Sequence, residues 1–116
     1  MLRPLLALTF LFTLSALAEE RKLTGAEIRA ALSDKIVEGI DDSGRRYTQV
    51  FQKAGLTIYN VMPSSSSNGL WDVRGDQFCS QWPPSKNWSC YDMTGEGKAL
   101  TFIASDGKLW PVKVLQ

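Results

Sequence analysis

Residues 70–93 read LWDVRGDQFCSQWPPSKNWSCYDM, and this stretch decides the fold. Apolar and polar side chains alternate from Trp71 to Arg74, Gly75-Asp76 supplies a tight turn, and Gln77 to Trp82 forms a second short run. A Pro83-Pro84 loop then leads into a third run, Trp88 to Met93. Period-two patterning interrupted by Gly, Asp and Pro is the mark of antiparallel strands joined by short connections. On that alternation Trp71 and Val73 share one face, while Leu70, Asp72 and Arg74 take the other.

Cys79 and Cys90 are the only cysteines in the chain. Their spacing is not Cys-x-x-Cys, and an even pair in an oxidising compartment reads as a structural disulfide. The register that sets Cys79 against Cys90 also opposes Phe78 to Tyr91, Ser80 to Ser89 and Gln81 to Trp88. Covalent and packing demands are therefore met by one hairpin.

The same pattern extends outward in both directions. Strands are predicted at Lys35–Ile40, Arg46–Gln52, Leu56–Met62, Lys98–Ala104 and Lys108–Leu115. Turn signals at Asp41-Asp42-Ser43-Gly44, Lys53-Ala54-Gly55 and Ser105-Asp106-Gly107 separate them. The low-complexity run Ser64 to Ser67, with Asn68-Gly69, reads as a flexible surface loop without a role. No helix-length segment lies between strands, so parallel βαβ units are excluded. The expected fold is mainly β: an antiparallel meander of about eight strands forming a small barrel or half-barrel, with one N-terminal helix over an end or open side. That helix is predicted over Gly25–Asp34. Thr24-Gly25-Ala26-Glu27 is a capping box, Leu23 is placed to staple it, and Ile28, Ala31 and Leu32 form its apolar stripe.

Upstream, Met1 to Ala18 has the grammar of a secretory signal peptide. Arg3 is its charge, Leu5 to Leu17 its apolar run, and Ala16-Leu17-Ala18 its cleavage site before Glu19-Glu20. The run is short of the ~20 apolar residues that span a bilayer. The chain is thus divided into a leader, 1–18, and a single β-rich domain, 19–116, periplasmic or secreted and without a stable membrane anchor after cleavage. Processing after Ala18 is expected, and mass spectrometry of the exported chain checks it.

Charge and composition narrow the chemistry. Without Arg3 the domain carries twelve basic and twelve acidic residues, so no basic excess suggests a nucleic-acid partner. There is no histidine, which removes Ser-His-Asp and Cys-His catalysis and His-liganded metals. No catalytic residue, cofactor or metal site is assigned. Asp72, Asp76, Asp92, Glu96 and Asp106 are the carboxylates available for hydrolysis, but Asp beside Gly in a turn is explained by backbone geometry. Four tryptophans are many for so small a core. Trp71, Trp82, Trp88 and Tyr91 are the candidate contacts with a ligand or partner, and the loop 82–88 is the favoured recognition segment. For Trp71 the structural role, a core anchor, outweighs the binding role.

The runs Leu23-Thr24-Gly25-Ala26-Glu27-Ile28, Gly69-Leu70-Trp71-Asp72-Val73 and Gly75-Asp76-Gln77-Phe78-Cys79, followed by Cys90 and Asp106-Gly107, resemble a group of small exported alphaproteobacterial proteins classed among domains of unknown function. The resemblance covers most of the mature chain and implies location and fold, with no catalytic residue to transfer.

The reading that emerges is an exported, non-enzymatic binding or interaction domain whose partner is a protein or a small ligand. The alternatives are a small hydrolase working through carboxylates, a periplasmic inhibitor of host enzymes, and a structural envelope protein. One observation separates them. A filled barrel favours binding through the surface, whereas a solvent-connected cavity lined by two or more tryptophans and convergent polar groups favours a small ligand.

Overall fold

The computed structural model describes residues 21–116, so the expected leader lies outside the described residues. One helix, α1 (Gly25–Leu32), precedes eight strands: β1 (Lys35–Ile40), β2 (Arg46–Phe51), β3 (Leu56–Val61), β4 (Ser65–Arg74), β5 (Gln77–Gln81), β6 (Trp88–Glu96), β7 (Ala99–Ile103) and β8 (Leu109–Val114). Each strand pairs antiparallel with its sequence neighbours. The meander closes through β1 and β8, at Val37 opposite Val114 and Glu38 opposite Lys113. A full barrel forms rather than a half-barrel, closed by a short seam between the first and last strands. The β5–β6 hairpin has the predicted register, with Cys79 opposite Cys90 and Phe78 opposite Tyr91. The two cysteines are joined by a disulfide across a Cα separation of 4.0 Å.

Connections β2–β3, β4–β5 and β6–β7 gather at one end of such a meander, and the other four at the opposite end. Helix α1 closes the first end. The Gly25 amide donates to the Asp76 carboxylate of the β4–β5 turn at 2.7 Å. Beyond the helix, the Asp34 amide donates to the Phe51 carbonyl, and the Lys53 amide donates back to the Asp34 carboxylate. The helix is thereby tied to two turns, and Ile28 and Leu32 are wholly buried against the barrel. It stops at Leu32, two residues before the predicted end. Asp34 takes a left-handed φ of 60°, which an aspartate tolerates and which redirects the chain into β1.

The capping box is present. The Glu27 amide donates to the Thr24 hydroxyl at 3.2 Å, and the Thr24 amide donates to the Glu27 carboxylate at 2.8 Å. Arg21 also pairs with Glu27. The Arg21 hydrogen bond, then that from the Thr24 amide, pulls the Glu27 carboxyl from about 4.5 down to about 2. Thr24→Ala is expected to cost about 0.5–2 kcal/mol, read as a lowered denaturation midpoint. A depressed acid stabilises the fold above its unfolded pKa, and that contribution is lost as pH falls through the folded value. The Glu27 part of the cap is therefore expected to fade between about pH 4.5 and 2.

The serine run is the main departure from expectation. From Ser65 on it is the first part of β4, not a loop: Ser65, Ser66, Ser67 and Asn68 oppose Val61, Asn60, Tyr59 and Ile58. Serines have little intrinsic strand preference, but β3 must find a partner for its ladder, and pairing decides the conformation.

Inward positions divide the barrel into two layers. Below, next to α1, Phe51, Trp71, Phe78 and Phe102 pack as an aromatic cluster. Phe51 meets Trp71 and Phe78 edge-on at 5.7 and 5.5 Å and lies stacked 6.2 Å from Phe102. Val37, Met93, Leu100, Val112 and Val114 complete this layer. Above it, toward the open end, the inward side chains become mostly polar aromatics and hydroxyls.

Candidate ligand cup at the barrel mouth

A cavity of about 520 Å³ occupies the end opposite α1. Phe78 and Phe102 form its floor, resting on the lower core. Tyr47, Gln49 and Tyr59 from β2 and β3 line one side, and Ser67, Asn68 and Ser80 from β4 and β5 continue it. Tyr91 and Trp110 face them from β6 and β8, while Trp82 and Pro83 stand at the start of the β5–β6 loop. Strand alternation explains much of this set. Tyr47 and Gln49 share parity with core residue Phe51, Tyr59 with buried Thr57, and Ser80 and Trp82 with Phe78.

Two strand glycines position the aromatics. A Cβ at Gly39 would come within 2.5 Å of the Tyr47 hydroxyl, so the ring lies over bare backbone of β1. At Gly69 a Cβ would fall 2.6 Å from the Trp82 indole. Each glycine gives a ring a flat seat, and the ring covers backbone that glycine leaves open. Tyr47 and Tyr59 lie 4.8 Å apart by ring centroids, and Tyr59 meets Trp82 edge-on at 6.1 Å. These three rings make a continuous aromatic wall.

The polar groups that line the cup are uncharged. The Thr57 hydroxyl donates to the Val50 carbonyl at 2.7 Å and therefore accepts from the Gln49 side-chain amide at 3.0 Å. That fixes the Gln49 side chain and leaves its carbonyl oxygen available. The Trp82 indole N–H donates to the Ser80 hydroxyl at 3.3 Å. Among the described residues, the hydroxyls of Tyr47, Tyr59 and Tyr91 form no hydrogen bond with the protein. Tyr47 is only 4% exposed. Burial first, then the neighbouring Tyr59 and Asp41, pushes its phenol up to about 12. Burial raises the Tyr59 phenol as well. Both remain protonated donors.

No Asp, Glu, Lys or Arg lines the cup. The carboxylates are dispersed, and of the five considered for hydrolysis all but Glu96, exposed at the end of β6, are occupied elsewhere. Asp76 holds the helix start, Asp106 accepts from the Lys108 amide in its turn, and Asp41 accepts from the Ser43 and Arg45 amides. Asp72 pairs with Arg29 and Arg74, and Asp92 with Lys22 and Gln77. Among the described residues no group of three potential metal ligands is found, and no helix is long and apolar enough to cross a membrane.

The structure separates the four candidate contact residues. Trp82 and Tyr91 line the cup. Trp71 is a core anchor, 5% exposed, whose indole N–H donates to the Gln52 carbonyl at 2.7 Å. Trp88, one position out of phase with inward-facing Ser89 and Tyr91, lies outside the barrel with the Arg74 guanidinium 4.1 Å from its ring centre. Trp71 and Trp88 border a second depression of about 400 Å³ with Arg29, Lys53 and Asp72. The 82–88 loop thus does not present a single aromatic patch. Sequence reasoning passed over Tyr47, Gln49, Tyr59, Ser67, Ser80 and Trp110. Their signal was polar residues at inward parity in strands whose other inward residues are large and apolar. No protein family, curated protein or solved structure matches the chain.

Proposed function

We propose that this protein is an exported, non-enzymatic binding domain that holds a small uncharged ligand in the cup at the barrel mouth. The observation that carries this reading is the cup itself: about 520 Å³, open to solvent, lined by Trp82 and Trp110 and by converging hydroxyl and amide groups. Its volume falls within the few hundred to one thousand Å³ usual for small-molecule sites. The carboxylates are spread over turns and outer strand faces, which disfavours hydrolysis through a carboxylate pair. An unfilled upper barrel disfavours a role confined to the outer surface. Export is supported by the leader-like sequence and is compatible with the disulfide. The resemblance to small exported alphaproteobacterial proteins belongs to the same proposal.

Ser67→Phe tests the reading. Ser67 is exposed and opposes Tyr59, so a phenyl group there enters the cup without displacing the lower core. A small-molecule screen by thermal shift is expected to yield neutral ligands that raise the wild-type midpoint. Ser67→Phe is expected to weaken them at least tenfold while leaving the unliganded midpoint close to wild type, since an exposed substitution costs about 0.5 kcal/mol or less. Ligands that bind both proteins equally would place binding outside the cup.

A further inference from the structure

The cup's chemistry also specifies the kind of molecule it takes, an inference that rests on the binding reading above. We infer that the ligand is a flat, uncharged aromatic compound bearing a carbonyl oxygen, its face against the ring walls and its carbonyl accepting from tyrosine phenols.

Charge is the first constraint. An ionised carboxylate, phosphate or ammonium group entering the cup would lose hydration and find no opposite charge among the lining residues. The second is hydrogen-bond polarity. The Tyr47, Tyr59 and Tyr91 phenols have no partner among the described residues, and phenols at neutral pH offer a good donor proton. The Tyr47 hydroxyl is the most demanding because its residue is 4% exposed, and a buried donor without an acceptor carries the desolvation cost of an unmade bond. A carbonyl oxygen, which only accepts, answers it. Sugars carry many hydroxyls that must each donate, and among the inward-facing side chains of the cup only Gln49 offers a carbonyl as a dedicated acceptor.

Shape is the third constraint. Tyr47, Tyr59 and Trp82 form one wall, and Tyr91, whose ring lies 6.2 Å from the floor ring Phe102, faces it from β6. An eight-stranded barrel leaves an interior wide enough for one small molecule between such walls. Ring faces reward a planar aromatic guest through stacked or edge-to-face contact.

Fluorenone, fluorene, fluorenone carboxylate and maltose test the assignment when titrated into the disulfide-bonded domain and followed by amide NMR. Fluorenone is expected to bind with shifts at cup residues, about five- to tenfold tighter than fluorene, which has the rings without the carbonyl. Its carboxylate should bind at least tenfold more weakly than fluorenone. Tyr47→Phe should bring fluorenone down to the affinity of fluorene and leave fluorene unchanged, a selectivity that loss of packing would not produce. Maltose or the carboxylate binding better than fluorenone, and being blocked by Ser67→Phe, would overturn the aromatic carbonyl class and leave the cup standing. No saturable binding of fluorenone would overturn the class as well. Binding of fluorenone that ignores Ser67→Phe would overturn the cup reading itself.

Discussion

Phe51→Ala is expected to remove about 3–5 kcal/mol of stability, the usual range for truncating a buried aromatic. Phe51 has no exposed surface and sits in the middle of the lower aromatic layer, against the rings that floor the cup. On one side it meets Trp71 edge-on beneath α1, and on the other Phe78 and Phe102, the floor of the cup. Truncation therefore leaves a cavity between rings that are themselves held by strand pairing and cannot collapse into the space. In a chemical denaturation series the midpoint should move to lower denaturant with an unchanged slope, and the extrapolated unfolding free energy should fall by about 3–5 kcal/mol. A loss below about 1 kcal/mol would mean that the aromatic cluster repacks around the gap, and that Phe51 is not the joint between core and cup. Because the floor rests on this ring, the variant should also weaken any cup ligand measured under folded conditions.

Removing the disulfide should cost nearly as much. The bond closes a segment with a sequence separation of 11, for which the loop-entropy model gives about 2–3 kcal/mol. Alanine is the appropriate replacement at both positions, since Cys79 is fully buried and a serine hydroxyl there would add its own desolvation cost. Cys79→Ala with Cys90→Ala should retain the barrel, because Phe78 opposite Tyr91 and the flanking ladder pairs hold the β5–β6 register independently. The measurement is equilibrium unfolding of the oxidised protein beside the double variant. Equal midpoints would show that the cross-link adds nothing to what local β5–β6 pairing already imposes on the unfolded chain.

Much of the architecture was legible because strand alternation and turn chemistry are local. The β1 boundaries match the prediction, and those of β2, β3, β5, β7 and β8 differ by a residue at one or both ends, since Gly, Asp and Pro punctuate the chain wherever it reverses, whereas β6 runs past the predicted Met93 to Glu96. The capping box and the Cys79–Cys90 register were readable for the same reason: each depends on spacing within a dozen residues. The serine run misled because composition describes what a segment prefers alone, and β4 takes its shape from β3. The candidate contacts divided for a related reason. Trp82 and Trp88 are close in sequence, yet the β5–β6 connection puts them on opposite faces of the sheet.

From its sequence alone, then, the protein was committed to a helix-capped antiparallel meander with one cross-link, because periodicity, caps and turns act over a few residues. Tertiary structure decided that the meander closes, that α1 seals one end and that the other holds a cup. Closure rests on Val37 of the first strand meeting Val114 of the last, and the cup on Tyr47, Tyr59, Tyr91 and Trp110 brought together from four strands. Those are non-local pairings, and no window of sequence contains them.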